Sequence, residues 1–128
     1  MFTFRKKERL CSETWIDTLF HSGKRAMFYP FSIHWLVCPK EALPEGVRCQ
    51  VLIATSKKKF HHAVDRNRVK RLTRECYRLH KPLLYTHLEK NNLSLLLGIN
   101  YVHNEIFDYH LLETKMEKAI AKVIKETS

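Results

Sequence analysis

The sequence predicts an α+β fold, with helices packed on one mainly antiparallel sheet in the order α-β-β-α-β-α. Three observations carry that expectation. Residues 27–38 and 47–55 alternate apolar and polar side chains at period two, and residues 93–102 (LSLLLGINYV) are almost continuously apolar. Three other stretches repeat apolar residues at helical spacing. The chain has 128 residues, 45% of them hydrophobic, with only three Gly and four Pro, enough for one domain to bury a core without disulfide or metal staples. Residues 1–128 are therefore expected to form a single domain, with residues 1–9 as a basic arm.

That arm carries Arg5, Lys6, Lys7 and Arg9, and serves either as a mobile tail or as a phosphate contact. Ser12 is placed as an N-cap with Glu13 in the first turn, and Gly23 as the stop. Between them Trp15, Ile16, Leu19 and Phe20 form an apolar stripe expected to face the core. In the first strand, over 27–38, Phe31, Ile33, Trp35 and Val37 share a face, and Pro30 marks an edge or bulge near its start. The loop PKEALPEG is short, so the strand over 47–55 is expected to pair antiparallel with the first. A helix is expected over residues 66–80, capped by Asp65 and stopped before Pro82. The apolar stretch at 93–102 reads as the central strand. A last helix, capped by Asn104 or Asp108 and running to about Glu126, turns Leu112, Met116, Ala119, Ile120 and Val123 to one side.

The cysteines, Cys11, Cys38, Cys49 and Cys76, are scattered, contain no C-x-x-C pair, and read as reduced thiols rather than zinc ligands. His61 and His62 are adjacent and cannot share one helix face, while His103 and His110 have no thiol or acid at ligand spacing. No apolar run approaches the roughly 18–20 residues of a membrane-spanning helix, and the N-terminus has no apolar signal region. A cytoplasmic protein is the expectation.

Charge is the least evenly distributed property of the chain. Residues 57–81 contain ten Lys or Arg and two acids, a net +8 of the chain's +10. In helical projection Val69, Leu72, Cys76 and Leu79 fall on one side, and Asn67, Lys70, Arg71, Arg74 and Arg78 on the other. Lys70–Arg74 and Arg74–Arg78 are like charges four apart, a destabilising arrangement unless an anion lies across them. Arginine predominates, which favours bidentate phosphate contacts. Lys57, Lys58 and Lys59 extend the surface toward a helix N-terminus, itself an anion site. Composition leaves DNA and RNA equally open. A self-sufficient nuclease is disfavoured, because this region offers only Asp65 and Glu75 as acids.

RNRVKRLTRE at 66–75, after a strand and a Ser56-Lys57-Lys58 turn, resembles the RNR motif of the bacterial ribonuclease P protein family. Arg9-Leu10 before the first helix, Leu19-Phe20 followed by Gly23, the apolar strand and the final amphipathic helix extend the resemblance over most of the chain. It implies an α+β fold with a left-handed βαβ crossover, a class shared with the second domain of a small-subunit ribosomal protein. It also implies a partner, the catalytic RNA of ribonuclease P, and a substrate, precursor tRNA, whose 5′ leader the holoenzyme removes as an endoribonuclease. On that reading the chemistry and its Mg²⁺ belong mainly to the RNA. The protein would hold no catalytic residue and no metal site, and have no DNA or membrane partner.

By position, Lys57, Lys58, Arg66, Asn67, Arg68, Lys70, Arg71 and Arg74 match the family's RNA-contacting element. Phe20 matches a leader-binding aromatic; Ile16 and His34 stand where aromatics are common, and Phe31 or Trp35 could substitute, depending on strand register. Core packing is an equal reading for Phe20. The alternative is a non-catalytic protein that binds structured RNA, such as a ribosomal protein.

Overall fold

Four strands form one sheet, and their spatial order, β1-β2-β4-β3, is not their order in the chain. The computed structural model describes residues 6–128, so the arm before Lys6, with Arg5, lies outside the described residues. A one-turn 3-10 helix at Lys6–Glu8 leads into α1 (Glu13–Ser22), β1 (Lys24–Phe28), β2 (Phe31–Cys38) and β3 (Cys49–Thr55). Then come α2 (Ala63–Lys90), β4 (Ser94–Tyr101) and α3 (Tyr109–Glu126). The α+β class stands, with four strands where three were expected.

The extra strand comes from Pro30. It does not bulge one long strand over 27–38 but divides it, because Tyr29 and Pro30, joined by a cis peptide bond, form a two-residue turn between Phe28 and Phe31. The antiparallel pairing expected between the strands over 27–38 and 47–55 is also corrected. β4 lies between β2 and β3, antiparallel to β2 and parallel to β3. Its side chains explain the placement: Leu95, Leu96, Leu97 and Ile99 are all at most 1% exposed, and burial on both faces is available only inside the sheet. β3-α2-β4 is thus a parallel crossover.

The central helix departs most from expectation. Asp65 is not its cap; α2 starts at Ala63 behind His62, which makes no side-chain cap. Arg66 ties the start down instead, with Nη1 donating to the Phe60 carbonyl at 2.8 Å and the His61 carbonyl at 3.0 Å. Nor does Pro82 end the helix; it lies inside it. A proline there costs about 3 kcal/mol, since it cannot donate to the carbonyl four residues back. Beyond it, Leu84 and Leu88 are fully buried, worth about 1.5–3 kcal/mol each, so tertiary packing outweighs the break. The helix stops at Asn91, and Asn92 (φ 52°) takes the left-handed position while the Leu93 amide bonds the Leu88 carbonyl at 2.8 Å.

α2 and α3 bury one face of the sheet against Phe31, Ile33, Trp35, Val51, Leu97 and Ile99. Leu112, Met116, Ala119, Ile120 and Val123 of α3 are all buried, and Asp108 caps that helix through the His110 amide at 3.1 Å. α1 is capped by Ser12 as expected and covers part of the opposite face, where Leu10, Leu19, Leu43, Val47 and Leu96 form a second, smaller core. Gly23 stops α1 without left-handed backbone (φ −74°). A Cβ there would lie 2.3 Å from the Leu19 carbonyl oxygen, so close approach is what the position requires.

Candidate nucleic-acid interface

Two surfaces hold the residues singled out in the sequence. The first is the cationic face of α2. Its buried residues, Val69, Thr73, Cys76, Tyr77 and Lys81, recur every three or four positions and fix which side turns outward. Asn67, Lys70 and Arg74 then line a groove of about 370 Å³ with Arg9, Val51 and Ile53. Arg71 lies beside Asn67 and Arg74 in an adjoining hollow that includes Val64, 75% exposed. Lys57, Lys58 and Arg68 are exposed.

Among the described residues, no carboxylate lies within ion-pair distance of Lys70, Arg71 or Arg74. Partial burial, with the charges of Arg9 and Arg71, pulls the Arg74 pKa down from its ordinary value. A guanidinium disfavoured in this way is poised to gain from an anion. Arg78, expected on the same row, is instead used internally: its Nη2 donates to Glu75 Oε1 at 2.5 Å and its Nε to Glu75 Oε2 at 3.0 Å. That bidentate contact holds the Glu75 carboxyl below the usual carboxylate range. Arg66 faces inward in part, through the two carbonyl bonds that anchor the start of α2.

The second surface is the sheet face beside α1. Register places Arg25, His34, Gly98 and Leu52 in one row across the four strands, and Met27, Ser32, Asn100 and Ala54 in the next. Phe20 stands over the first row, its ring 4.6 Å from that of His34 and edge-on. Gly98 makes this possible: a Cβ there would approach Leu19 Cδ2 to 3.2 Å and Phe20 Cζ to 3.4 Å. Ile16 is half-buried against the smaller core. Phe31 and Trp35, the aromatics considered as substitutes, are 0% and 3% exposed in the main core on the opposite face, so the register leaves His34 as the β2 ring in the cleft. Burial and the Arg25 charge lower the His34 pKa, and its Nδ1 is buried without a hydrogen-bond partner among the described residues.

Cys38, Cys49 and Cys76 are buried, with pKa values pushed up to about 11, 12 and 12 by desolvation, and Cys11 is exposed. Among the described residues no three His, Cys, Asp or Glu side chains group to hold a metal. No helix of the described residues is long and apolar enough to cross a membrane. The turn at Tyr29-Pro30, where the sequence suggests an edge or a bulge, leaves Met27 and Tyr29 48% and 47% exposed.

A cationic row without carboxylate partners among the described residues, beside an open, aromatic-flanked sheet, defines a polyanion-binding α+β protein. The sequence model of the ribonuclease P family, described as Ribonuclease P, matches residues 4–123. The chain is 33% identical over 122 residues to the ribonuclease P protein component of Porphyromonas gingivalis, covering 95% of this chain and 87% of that one. It is 35% identical over 105 residues to the corresponding protein of Chlorobium phaeobacteroides, covering 78% and 72%.

Two solved structures share the fold. One is a Staphylococcus aureus RNase P protein mutant with defective mRNA degradation activity, with TM-score 0.68, 20% identity, and 94% and 90% of the two chains covered. The other is the RNase P protein of Thermotoga maritima, with TM-score 0.67, 18% identity, and 90% and 96% covered. The chain belongs to the ribonuclease P protein family, and its place is that of a subunit in tRNA 5′ processing.

Proposed function

We propose that this chain binds the ribonuclease P RNA through the cationic face of α2 and receives the 5′ leader of precursor tRNA between α1 and the open sheet. The observation that supports this most directly is the row Lys70, Arg71 and Arg74, which has no carboxylate partner among the described residues. Asn67 and the exposed Lys57, Lys58 and Arg68 widen that surface, and Arg66 holds its N-terminal turn in place. Phe20 and His34, with Ile16 behind them, offer a ring contact to an unpaired base, and stacking suits a leader of any sequence.

In this reading the bond-breaking chemistry and the Mg²⁺ it requires reside in the RNA. The protein supplies counter-charge and a track for the single strand, and works where that RNA does, in the cytoplasm.

The test is reconstitution with the cognate RNA. The protein should raise precursor tRNA cleavage at low Mg²⁺. Replacing Arg71 and Arg74 with Ala should lower the slope of log affinity against log salt by about 0.7–0.9 for each phosphate no longer bound. A protein that binds the RNA with no effect on cleavage would instead be a structured-RNA-binding module.

A further inference from the structure

The last helix, α3, carries four lysines and three glutamates, enough for a ladder of opposite charges along its exposed side. It does not arrange them so. Lys115, Lys118, Lys122 and Lys125, spaced three, four and three apart, follow one stripe, while Glu113 and Glu117 fall on the other flank. Lys122 has an acid four positions on, Glu126, at 3.6 Å. Among the described residues no carboxylate lies within ion-pair distance of Lys115, Lys118 or Lys125. Like charges three and four apart repel, so the stripe is destabilising until an anion lies along it.

Packing fixes where the stripe points. α3 covers β1 and β2, and α2 covers β3 and β4. Glu113 Oε1 lies 4.0 Å from His80 Nε2, and Thr127 Oγ1 is hydrogen-bonded to His87 Nε2 at 2.8 Å, so the acid-bearing flank of α3 faces α2. The lysine flank therefore faces the other way, over β1, an edge strand of the sheet. Lys118 and Lys125 are exposed, and Lys115 and Lys122 are half-buried. β1 adds exposed Lys24, which pairs in register with core residue Trp35 and so lies on the same face of the sheet as α3. The cationic row of α2 stands at the opposite edge, beside Arg9, Val51 and Ile53. Packed helix axes are about 8–10 Å apart and helices about 10–12 Å across, so the two rows are separated by about 20 Å and face apart.

We infer that the lysine flank of α3, with Lys24 of β1, is a second polyanion-binding surface, and that it holds a stretch of ribonuclease P RNA backbone separate from the one met by α2. The surface is additional to the α2 face proposed above and shares with it only the ligand. Point charges on flexible stems, with no arginine fork among them, suit backbone phosphates and read no base. The ligand is the ribonuclease P RNA rather than the 5′ leader, because α3 packs on the face of the sheet opposite to Phe20 and His34.

The test measures binding of the full chain to the ribonuclease P RNA, without precursor tRNA, across a salt series, together with protection of the RNA backbone from hydroxyl radicals. Lys118→Gln/Lys125→Gln removes two exposed charges of the stripe, and Lys40→Gln/Lys90→Gln removes two exposed charges elsewhere as a match for net charge. The first pair should lower the slope of log affinity against log salt by about 0.7–0.9 for each phosphate no longer bound, about 1.4–1.8 in all. It should also expose an RNA segment distinct from the one exposed by Arg71→Ala/Arg74→Ala. The matched pair should leave slope and protection as in wild type. An unchanged slope for Lys118→Gln/Lys125→Gln, an equal fall for the matched pair, or exposure of the same segment as in the α2 variant overturns the second surface. A deficit seen only with precursor tRNA present overturns it too, by assigning the flank to the substrate. The urea midpoint of Lys118→Gln/Lys125→Gln should be no lower than that of wild type, and a binding loss that accompanies a fall in midpoint also overturns the surface. Wild-type binding by Arg71→Ala/Arg74→Ala would overturn the α2 reading and leave the α3 surface standing.

Discussion

The buried pair Glu8–Lys81 is where a single substitution should cost the fold most. Lys81 lies on α2 immediately before Pro82, and its ammonium meets Glu8 Oε1 with side chains only 7% and 2% exposed. Tyr85 donates its hydroxyl to the same oxygen at 2.9 Å, and Lys81 Nζ sits 4.8 Å from the Tyr85 ring centre. Glu8→Gln keeps the shape and an acceptor for Tyr85 but leaves the ammonium buried beside a neutral amide. Removing one partner of a buried pair costs about 3–5 kcal/mol, against about 0–1 kcal/mol for an exposed pair. For a chain of this length that is a fall in Tm of roughly 10–20 °C. Lys81→Met should cost a similar amount, and the double variant Glu8→Gln/Lys81→Met should recover most of it, since neither charge is then stranded. Urea denaturation of the four proteins at pH 7 gives the cycle. Single losses below about 1 kcal/mol, or a double loss equal to the sum of the singles, would refute the buried pair.

Pro82→Ala should stabilise the protein, by up to about 3 kcal/mol, because the helix already runs through this position and alanine restores the missing donor; a fall in urea midpoint would refute that reasoning. His34→Phe addresses pH. The folded pKa of His34 lies below its ordinary value, through burial first and Arg25 second, so below about pH 6.5 the unfolded chain takes up the proton more readily. Wild-type stability should therefore decline relative to His34→Phe as pH falls from about 7 toward about 5, and a difference flat across that range would count against the buried neutral ring.

What could be read in the sequence was the material with strong local periodicity. The α3 stripe lies where its spacing placed it, Ser12 caps α1, and the apolar run at Ser94–Tyr101 is central because four aliphatic residues within it need two covered faces. The failures share a cause: non-local packing reverses a local signal. Pro82 would break the helix only if the residues beyond it had nothing to bury, and Leu84 and Leu88 have the interior of the protein. The real stop is Asn91-Asn92, a pair whose left-handed tolerance is weaker than glycine's and easily passed over. Strand adjacency was unreadable for a related reason. The connection between Cys38 and Cys49 is long enough for an adjacent antiparallel pair or for one with a strand inserted between, and only the burial demand of β4 decides. In the site, the composition of the cationic face was legible, but the diversion of Arg78 to Glu75 and of Arg66 to two carbonyls depends on side-chain geometry.

α2 thus uses its cations in two opposed ways, and the magnitudes explain why the protein tolerates the costly one. Lys81 is interior and compensated by Glu8, so its charge serves folding. Lys70 and Arg74 are a like-charged pair four residues apart, which costs the free protein only about 0.2–0.5 kcal/mol. In return, phosphate contacts by charged donors are worth about 1.5–3 kcal/mol each when made. The bound state therefore gains several times what the free state loses, provided that no internal acid competes for the row. Arg78 marks where that condition ends: with Glu75 across it, it is already neutralised before any RNA arrives. Lys70, Arg71 and Arg74 lie between Asp65 and Glu75 in the chain, yet neither acid is within ion-pair distance of them, so the row keeps its charge for the proposed RNA contact.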